Sequence, residues 1–179
     1  MTPGAFALSW RSPAARASTS CILLDRDGVI NVRPGDGFVL AWRDFHFRPD
    51  ALAALRVIAE AGIPAIVVSN QSCVGRGMLK EADLIEIMKR MTDELERDGA
   101  PLAAWYACPH APDAGCDCRK PKPGMLLRAL HEIGGDPTRS HMIGDTETDI
   151  AAGDAAGCVT HLIDPSDPNA FLRIVTDIV

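Results

Sequence analysis

The chain of 179 residues has no long apolar run, no excess of basic charge and few aromatic side chains. No apolar run approaches the roughly 18 residues that a membrane-spanning helix needs, so we expect a soluble protein with no membrane partner. The net charge of −6 and the lack of an aromatic and basic strip argue against nucleic acid as a partner. A small phosphorylated ligand stays possible, because a few local cations are enough to bind it.

The N-terminal segment lacks the apolar centre of a secretory signal, and its first 18 residues contain no acidic side chain. We interpret residues 1–18 as a flexible extension and residues 19–179 as a single domain. The six cysteines are not spaced like a disulfide framework, since three of them crowd into one short loop. This favours a reducing compartment, and we expect a cytoplasmic protein that acts as a monomer.

Short apolar runs alternate with amphipathic stretches along the chain. The runs predict strands at Cys21–Leu24, Ala65–Val68, Ala103–Ala107, Met142–Ile143 and Val159–Ile163. Between them, apolar residues recur at helical spacing, with Pro49 before the first predicted helix and Gly62 after it. Five alternations of strand and helix predict an α/β fold, a Rossmann-like parallel sheet with helices on both faces.

Polar residues follow the predicted strands, where the carboxyl ends of a parallel sheet share one rim. They are Asp25 and Asp27 after the first strand, Ser69–Ser72 after the second, Cys108 and His110 after the third, and Asp145 after the fourth. An Asp-x-Asp pair is also typical of structural turns. The other polar segments at the same rim favour a chemical role instead.

These rim residues supply the parts of a phosphoryl-transfer site. Asp25 would attack the phosphate as nucleophile, and Asp27 would act as general acid and base, for which a raised pKa would suit it. Because two anions repel, such a site needs a hard cation, and we expect Mg²⁺ on Asp25, Asp27 and Asp145. Ser69 and Lys120 would bind the transferred phosphoryl group.

Three cysteines and a histidine in one loop form the ligand set of a closed tetrahedral zinc site. They are Cys108, His110, Cys116 and Cys118. With all four positions filled by protein, the Zn²⁺ ion would have no water to activate, so we expect a structural role. Buried or reactive cysteines without metal are the alternative.

Four segments of the chain resemble the four motifs of haloacid dehalogenase superfamily phosphatases. They are Asp25–Asn31, Ser69–Ser72, Cys118–Pro121 and Gly144–Asp145. Within the superfamily the chain is similar to heptose 1,7-bisphosphate phosphatases and the related histidinol-phosphatases. The resemblance spans about residues 22–163 and implies a Rossmann-like fold, magnesium and phosphate monoester hydrolysis. The short gaps between motifs imply a capless member of the superfamily.

The resemblance to the heptose 1,7-bisphosphate phosphatases also implies the class of substrate. We expect hydrolysis of the 7-phosphate of D-glycero-D-manno-heptose 1,7-bisphosphate, a precursor of lipopolysaccharide and other surface polysaccharides. Ser72 stands where the histidinol type commonly has an acid, which disfavours histidinol phosphate without excluding it. A zinc-clamped binding protein without catalysis and a polynucleotide phosphatase are further alternatives. The predicted substrate-binding residues are Arg33, Asp36, Asn70, Gln71, Ser72, Arg76 and Arg119.

Overall fold

The computed structural model describes residues 7–35 and 37–179. At its centre is a six-stranded sheet with the strand order β1-β4-β3-β2-β5-β6. The strands are β1 (Leu8–Arg11), β2 (Ile22–Leu24), β3 (Ala65–Asn70), β4 (Ala104–Cys108), β5 (His141–Gly144) and β6 (Val159–Leu162). Strands β2 to β6 run parallel, and only β1 is antiparallel to its neighbour.

Helices cover both faces of the sheet. They are α1 (Ala51–Glu60), α2 (Glu81–Arg97), α3 (Gly124–Ile133), α4 (Glu147–Ala156) and α5 (Ala170–Ile178), with short 3-10 turns at Trp42–Asp44 and Pro137–Arg139. One apolar core joins the sheet to α1, α2 and α5, and a second joins it to α3 and α4. The predicted α/β class and its five strand–helix alternations are therefore confirmed.

The central strand β2 is buried on both faces, as its wholly apolar sequence predicts. Leu24 pairs with Val67 of β3 and with Ile143 of β5, so the carboxyl ends of the three parallel strands lie at the same edge of the sheet. The residues that follow these strands therefore meet at one rim, and this rim carries the candidate site.

The N-terminal segment differs from its prediction. Leu8–Arg11 is a strand at the sheet edge, where Ser9 pairs with Tyr106 of β4, so these residues are not a flexible extension. Residues 1–6 lie outside the described part of the chain. The sheet is consequently mixed rather than wholly parallel, with an antiparallel edge strand of a kind common in α/β folds.

No domain is inserted between the strands within the described residues. The segment from β2 to β3 holds the 3-10 turn Trp42–Asp44 and α1, and the segment from β3 to β4 holds α2. The site therefore opens directly to solvent, as expected for a capless protein. Among the helices of the described ranges, none has the length and apolar character to cross a membrane.

Candidate active site

Two glycines allow three carboxylates to approach one another at the rim. Gly28, in the turn after β2, has a φ of +96°, and a Cβ atom there would overlap the Asp145 carboxylate. A Cβ atom on Gly144 would likewise overlap Asp149. As a result, one ligand oxygen each from Asp25, Asp145 and Asp149 lies within 4.8 Å of the others.

Asp149 is the member of this cluster that sequence reasoning missed. It lies buried in the first turn of α4, where its carboxylate accepts hydrogen bonds from the Thr146 backbone N–H (3.1 Å) and hydroxyl (2.7 Å). Because Asp149 belongs to a capping box, its sequence pattern is that of an ordinary acidic residue in the first turn of a helix. The available signal was its spacing of four residues from Asp145, which brings both carboxylates to the start of one helix.

Lys120 is the cation at the centre of the cluster. Its buried Nζ lies 2.6 Å from Asp149 Oδ1 and 3.0 Å from Asp25 Oδ1, and it donates a hydrogen bond to the Val68 carbonyl at 2.7 Å. Burial lowers the pKa of Lys120, but Asp25 and Asp149 raise it more, so the net direction is upward and the side chain stays charged.

Asn70 fixes the backbone that carries Lys120. The Asn70 Nδ2 group donates to the Lys120 carbonyl at 3.0 Å, and the Lys120 N–H donates to Asn70 Oδ1 at 3.1 Å. This reciprocal pair ties the end of β3 to the segment after the cysteine loop. In this structure the amide of Asn70, predicted to bind substrate, is therefore engaged with protein.

Asp25 is paired through one of its carboxylate oxygens. The buried Oδ1 atom lies 3.0 Å from the Lys120 ammonium nitrogen. Burial is the main cause that raises the pKa of Asp25 to about 6; Lys120 opposes this shift, and the neighbouring carboxylates add to it. Three carboxylates that each place an oxygen within 4.8 Å of the others fit a hard divalent cation with oxygen ligands, such as Mg²⁺.

The Asp27 carboxylate is directed away from this cluster. It accepts hydrogen bonds from Arg26 (Nη2 at 2.8 Å and 2.9 Å), Asn31 Nδ2 (2.9 Å) and Gln71 Nε2 (2.7 Å). Burial raises the pKa of Asp27, yet the Arg26 charge and these hydrogen bonds outweigh it and lower the pKa overall. The expected raised pKa is thus wrong, and the structure does not bring the Asp27 carboxylate among the predicted metal ligands.

Arg33 contacts the predicted metal ligands. Its guanidinium pairs with both Asp145 oxygens, with Nη2 at 2.9 Å and 3.0 Å, and the same Nη2 donates to the Asp27 carbonyl at 3.1 Å. The Asp27 backbone oxygen therefore faces Asp145 even though the Asp27 carboxylate does not. In Asp145, burial raises the pKa and the nearby Arg33 charge counters it, with a net upward shift.

A cavity of about 410 Å³ opens beside these groups. Ser72, Arg76 and Arg119 line it, as their predicted substrate-binding role requires, and Nη1 of Arg119 is buried without a hydrogen-bond partner. Gln71 instead joins Asp27 to the Ser69 hydroxyl, which lies 3.0 Å from the Gln71 amide nitrogen. Asp36, also predicted to bind substrate, lies outside the described residues.

The predicted zinc ligands form a second cluster. Cys108, His110, Cys116 and Cys118 place one ligand atom each within 4.8 Å of the others. The Cys108 sulfur lies 3.4 Å from His110 Nδ1, 3.7 Å from the Cys116 sulfur and 3.3 Å from the Cys118 sulfur. A tetrahedral site with Zn–S bonds of about 2.3 Å has sulfur atoms about 3.8 Å apart, so this arrangement fits zinc.

The cysteine loop packs directly on the turn after β3. Gly75 N–H donates to the Pro109 carbonyl at 2.7 Å, and Gln71 N–H donates to the Cys108 carbonyl at 2.8 Å. A Cβ atom on Gly75 would overlap Ala111 of the loop, so this contact requires glycine. The loop thereby supports two of the segments that line the cavity.

Comparison with known proteins shows relatives over most of the chain. A HAD-hydrolase-like family model matches residues 117–165. The D-glycero-beta-D-manno-heptose-1,7-bisphosphate 7-phosphatase of Yersinia pestis is 37% identical over 153 residues, which are 82% of this chain and 80% of that protein. The corresponding alpha-type enzyme of Mycobacterium tuberculosis is 35% identical over 131 residues, 73% of this chain and 69% of its own.

Solved structures give the same result. The D,D-heptose 1,7-bisphosphate phosphatase of B. bronchiseptica, complexed with magnesium and phosphate, has a TM-score of 0.77 at 32% identity and covers 88% of this chain and 86% of its own. A HAD-like phosphatase of Mesorhizobium loti has a TM-score of 0.80 at 27% identity, covering 98% and 97%. The chain therefore belongs to the haloacid dehalogenase superfamily, in the family of the heptose 1,7-bisphosphate phosphatases.

Proposed function

We propose that this protein is a magnesium-dependent phosphatase that removes the 7-phosphate of D-glycero-D-manno-heptose 1,7-bisphosphate through a phosphoryl group carried on Asp25. The observation that carries this proposal is the buried Asp25 carboxylate, which is paired with Lys120 and lies beside Asp145 and Asp149. A carboxylate held there beside a cation can attack phosphorus, and the names of the relatives support the sugar bisphosphate as substrate.

Asp25, Asp145 and Asp149 would hold the metal, and Asp27 would contribute its backbone oxygen rather than its carboxylate. When bound, Mg²⁺ offsets the negative charge of the phosphoryl group and of the attacking carboxylate. Lys120 supplies a second positive charge at Asp25, from 3.0 Å away. The Ser69 hydroxyl would donate to a phosphoryl oxygen, held for this purpose by Gln71.

The reaction would run in two displacements. A carboxylate oxygen of Asp25 bonds to phosphorus, the bond from phosphorus to the sugar oxygen breaks, and that oxygen takes a proton from the Asp27 carboxyl. Water then gives a proton to Asp27 while its oxygen attacks phosphorus, which releases phosphate and regenerates Asp25. In this structure the Asp27 carboxylate is suited to the second displacement, the attack of water, because its lowered pKa keeps it ionised and able to accept a proton.

Arginines at the cavity favour a substrate with two phosphates. Arg76 and Arg119 line the cavity, and the unpartnered Nη1 of Arg119 is available to a phosphate oxygen. At the position where an ammonium-bearing substrate would need an acid, the cavity presents Ser72. This disfavours histidinol phosphate as the substrate.

We assign a structural zinc ion to the cysteine cluster, because its four ligand atoms have tetrahedral spacing and no position is left for water. The hydrogen bond from Cys118 is the main cause that lowers the pKa of Cys108 to about 5, so a thiolate is available to a metal. None of the six cysteines, all of which lie in the described structure, forms a disulfide, which supports the cytoplasm as the compartment.

The test compares kcat/KM on both anomers of heptose 1,7-bisphosphate and on histidinol phosphate, with Mg²⁺ present. We expect a clear preference for one heptose anomer, and preference for histidinol phosphate would refute the assigned substrate. Asp25→Asn should lower phosphate release by at least about a thousandfold with folding intact. Asp177→Asn, at an exposed residue outside the cavity, is the control and should retain activity. No turnover by the wild type on any substrate would favour the non-catalytic alternative.

A further inference from the structure

Arg26 lies between the two aspartates of the first motif, but its side chain does not reach the cavity. It is fully buried, and its Nη1 contacts the Met88 sulfur of α2 at 3.6 Å. Its one ion pair among the described residues is with Asp27. A buried guanidinium is costly unless it is paired, so this pairing decides where the Asp27 carboxylate lies.

The contact between the two side chains is fork-like. Arg26 Nε and Nη2 lie 3.2 Å and 2.8 Å from Asp27 Oδ1, and Nη2 lies 2.9 Å from Oδ2. This geometry fixes the plane of the carboxyl group as well as its distance, which a single-point contact cannot do. The Arg26 backbone is also fixed, since its carbonyl accepts hydrogen bonds from Ile30 N–H and Asn31 N–H.

Asp27 is nevertheless part of the cavity wall. Asp27 lines the cavity together with Asp25, and about a tenth of the Asp27 side chain is exposed. Asn31 and Gln71 each donate one further hydrogen bond, one to each oxygen. These contacts fix the Asp27 carboxyl, the proton-transferring group, at the cavity, and Arg26 is the charged residue among its partners.

We propose that Arg26 is the positioning residue of the acid–base group, and that it holds the Asp27 carboxyl where it can protonate the leaving sugar oxygen. This inference rests on the proposed phosphatase function. The proton moves from Asp27 to the oxygen as the bond from phosphorus to that oxygen breaks, and Arg26 neither gains nor loses a proton. Misplacing Asp27 therefore harms departure of a strongly basic leaving group and spares one that needs no protonation.

The experiment compares two substrates in one enzyme preparation. Heptose 1,7-bisphosphate releases a basic alkoxide, whereas p-nitrophenyl phosphate releases a weakly basic phenolate. kcat/KM reports the first displacement for both, and the ratio of the two values does not depend on the folded fraction. For Arg26→Met we expect kcat/KM to fall about 10- to 100-fold on the sugar phosphate and less than about threefold on the aryl phosphate, as for Asp27→Asn.

Arg26→Lys keeps the charge without the fork and should give an intermediate loss with the same leaving-group dependence. Arg48→Met is the matched control, because Arg48 is also buried and paired with an aspartate two residues away, at Asp50, outside the cavity. It should leave the substrate ratio unchanged. If both Arg26 variants keep the wild-type ratio of the kcat/KM values on the two substrates, the positioning role is overturned. A wild type that hydrolyses neither substrate would instead refute the proposed function.

Discussion

At the residue scale, Asp25, Asp145 and Asp149 each lie beside a cation from a different part of the chain. Lys120 forms ion pairs with Asp25 and Asp149, and Arg33 forms an ion pair with Asp145. Charges buried without partners would be strongly unfavourable, so these pairs stabilise the acidic rim before any metal binds. A metal ion that enters the cluster must compete with at least one of the cations.

Arg33 is the cation that is easiest to displace, because its side chain is 41% exposed and therefore screened by solvent. Arg33→Ala should tighten Mg²⁺ binding about two- to fivefold, as expected for loss of a screened ion pair on Asp145. Isothermal titration calorimetry with Mg²⁺ measures this change. Arg76→Ala removes a cavity arginine without an ion pair to Asp145 among the described contacts and should change affinity less. An equal increase in Mg²⁺ affinity in both variants would show instead that removing any positive charge from the cavity tightens binding, whether or not that charge is paired with Asp145.

Magnesium binding should weaken in acid. The pKa of Asp25 is raised to about 6, chiefly by burial, and burial also raises the pKa of Asp145. Protons therefore compete with the metal as the pH falls through 6, while above about pH 7 both carboxylates are ionised and affinity should level off. Calorimetric titrations from pH 5 to pH 8 check this prediction. An affinity that is constant over that range would contradict the assignment of Asp25 as a ligand.

Much of the site could be predicted from the residues that follow strands. The carboxyl ends of parallel strands meet at one rim, whichever side chains follow them. Asp25, Ser69 and Asp145 were found in this way. The partners of Asn70 and Gln71 could not be predicted, since their amides bond to residues 50 and 44 positions away in the chain. Such long-range partners depend on the packed fold and leave no local pattern in the sequence.

At the element scale, apolar runs predicted the five parallel strands β2 to β6, and β1 was missed. A strand buried on both faces is a continuous apolar run, but Leu8–Arg11 alternates between half-buried and exposed positions. Part of its stability comes from a distant side chain: Arg128 of α3 lies 3.4 Å from the Ser9 hydroxyl and 3.5 Å from the Ala7 carbonyl. Local sequence cannot reveal such support.

The strand β1 should contribute measurably to stability. Trp10 is partly buried against the core that includes Trp105 of the adjacent strand. Trp10→Ser should therefore lower the free energy of unfolding by about 1–3 kcal/mol. Denaturation in urea measures the change, and Ser9→Thr, on the exposed face of the same strand, is the control. If Trp10→Ser matches the wild type, the edge strand is not a stabilising part of the sheet.

The cysteine loop should depend on its metal. Cys116→Ser removes one of four ligands, so zinc content should fall well below one ion per chain and the melting temperature should drop. Elemental analysis and thermal unfolding check both effects. Cys158→Ser, at a buried cysteine outside the cluster, is expected to keep its zinc. Full zinc retention in the Cys116 variant would refute the assignment of the cluster.

At the scale of the whole molecule, a protein with a net charge of −6 concentrates basic side chains at one cavity. Arg33, Arg76, Arg119 and Lys120 all line it. Local cations, rather than overall charge, thus determine which ligand the protein can bind. No domain is inserted over the rim in the described part of the chain, and we propose that these side chains hold the substrate.

The central claim is that the phosphoryl group is carried on Asp25, and chemical trapping during turnover tests it most directly. The wild-type protein, mixed with Mg²⁺ and heptose 1,7-bisphosphate, is quenched in acid and treated with borohydride, which reduces an aspartyl phosphate to homoserine. Mass spectrometry then locates the product in the chain. We expect homoserine at position 25, dependent on both substrate and metal. Homoserine at another carboxyl group, or at none while phosphate is being released, would contradict it.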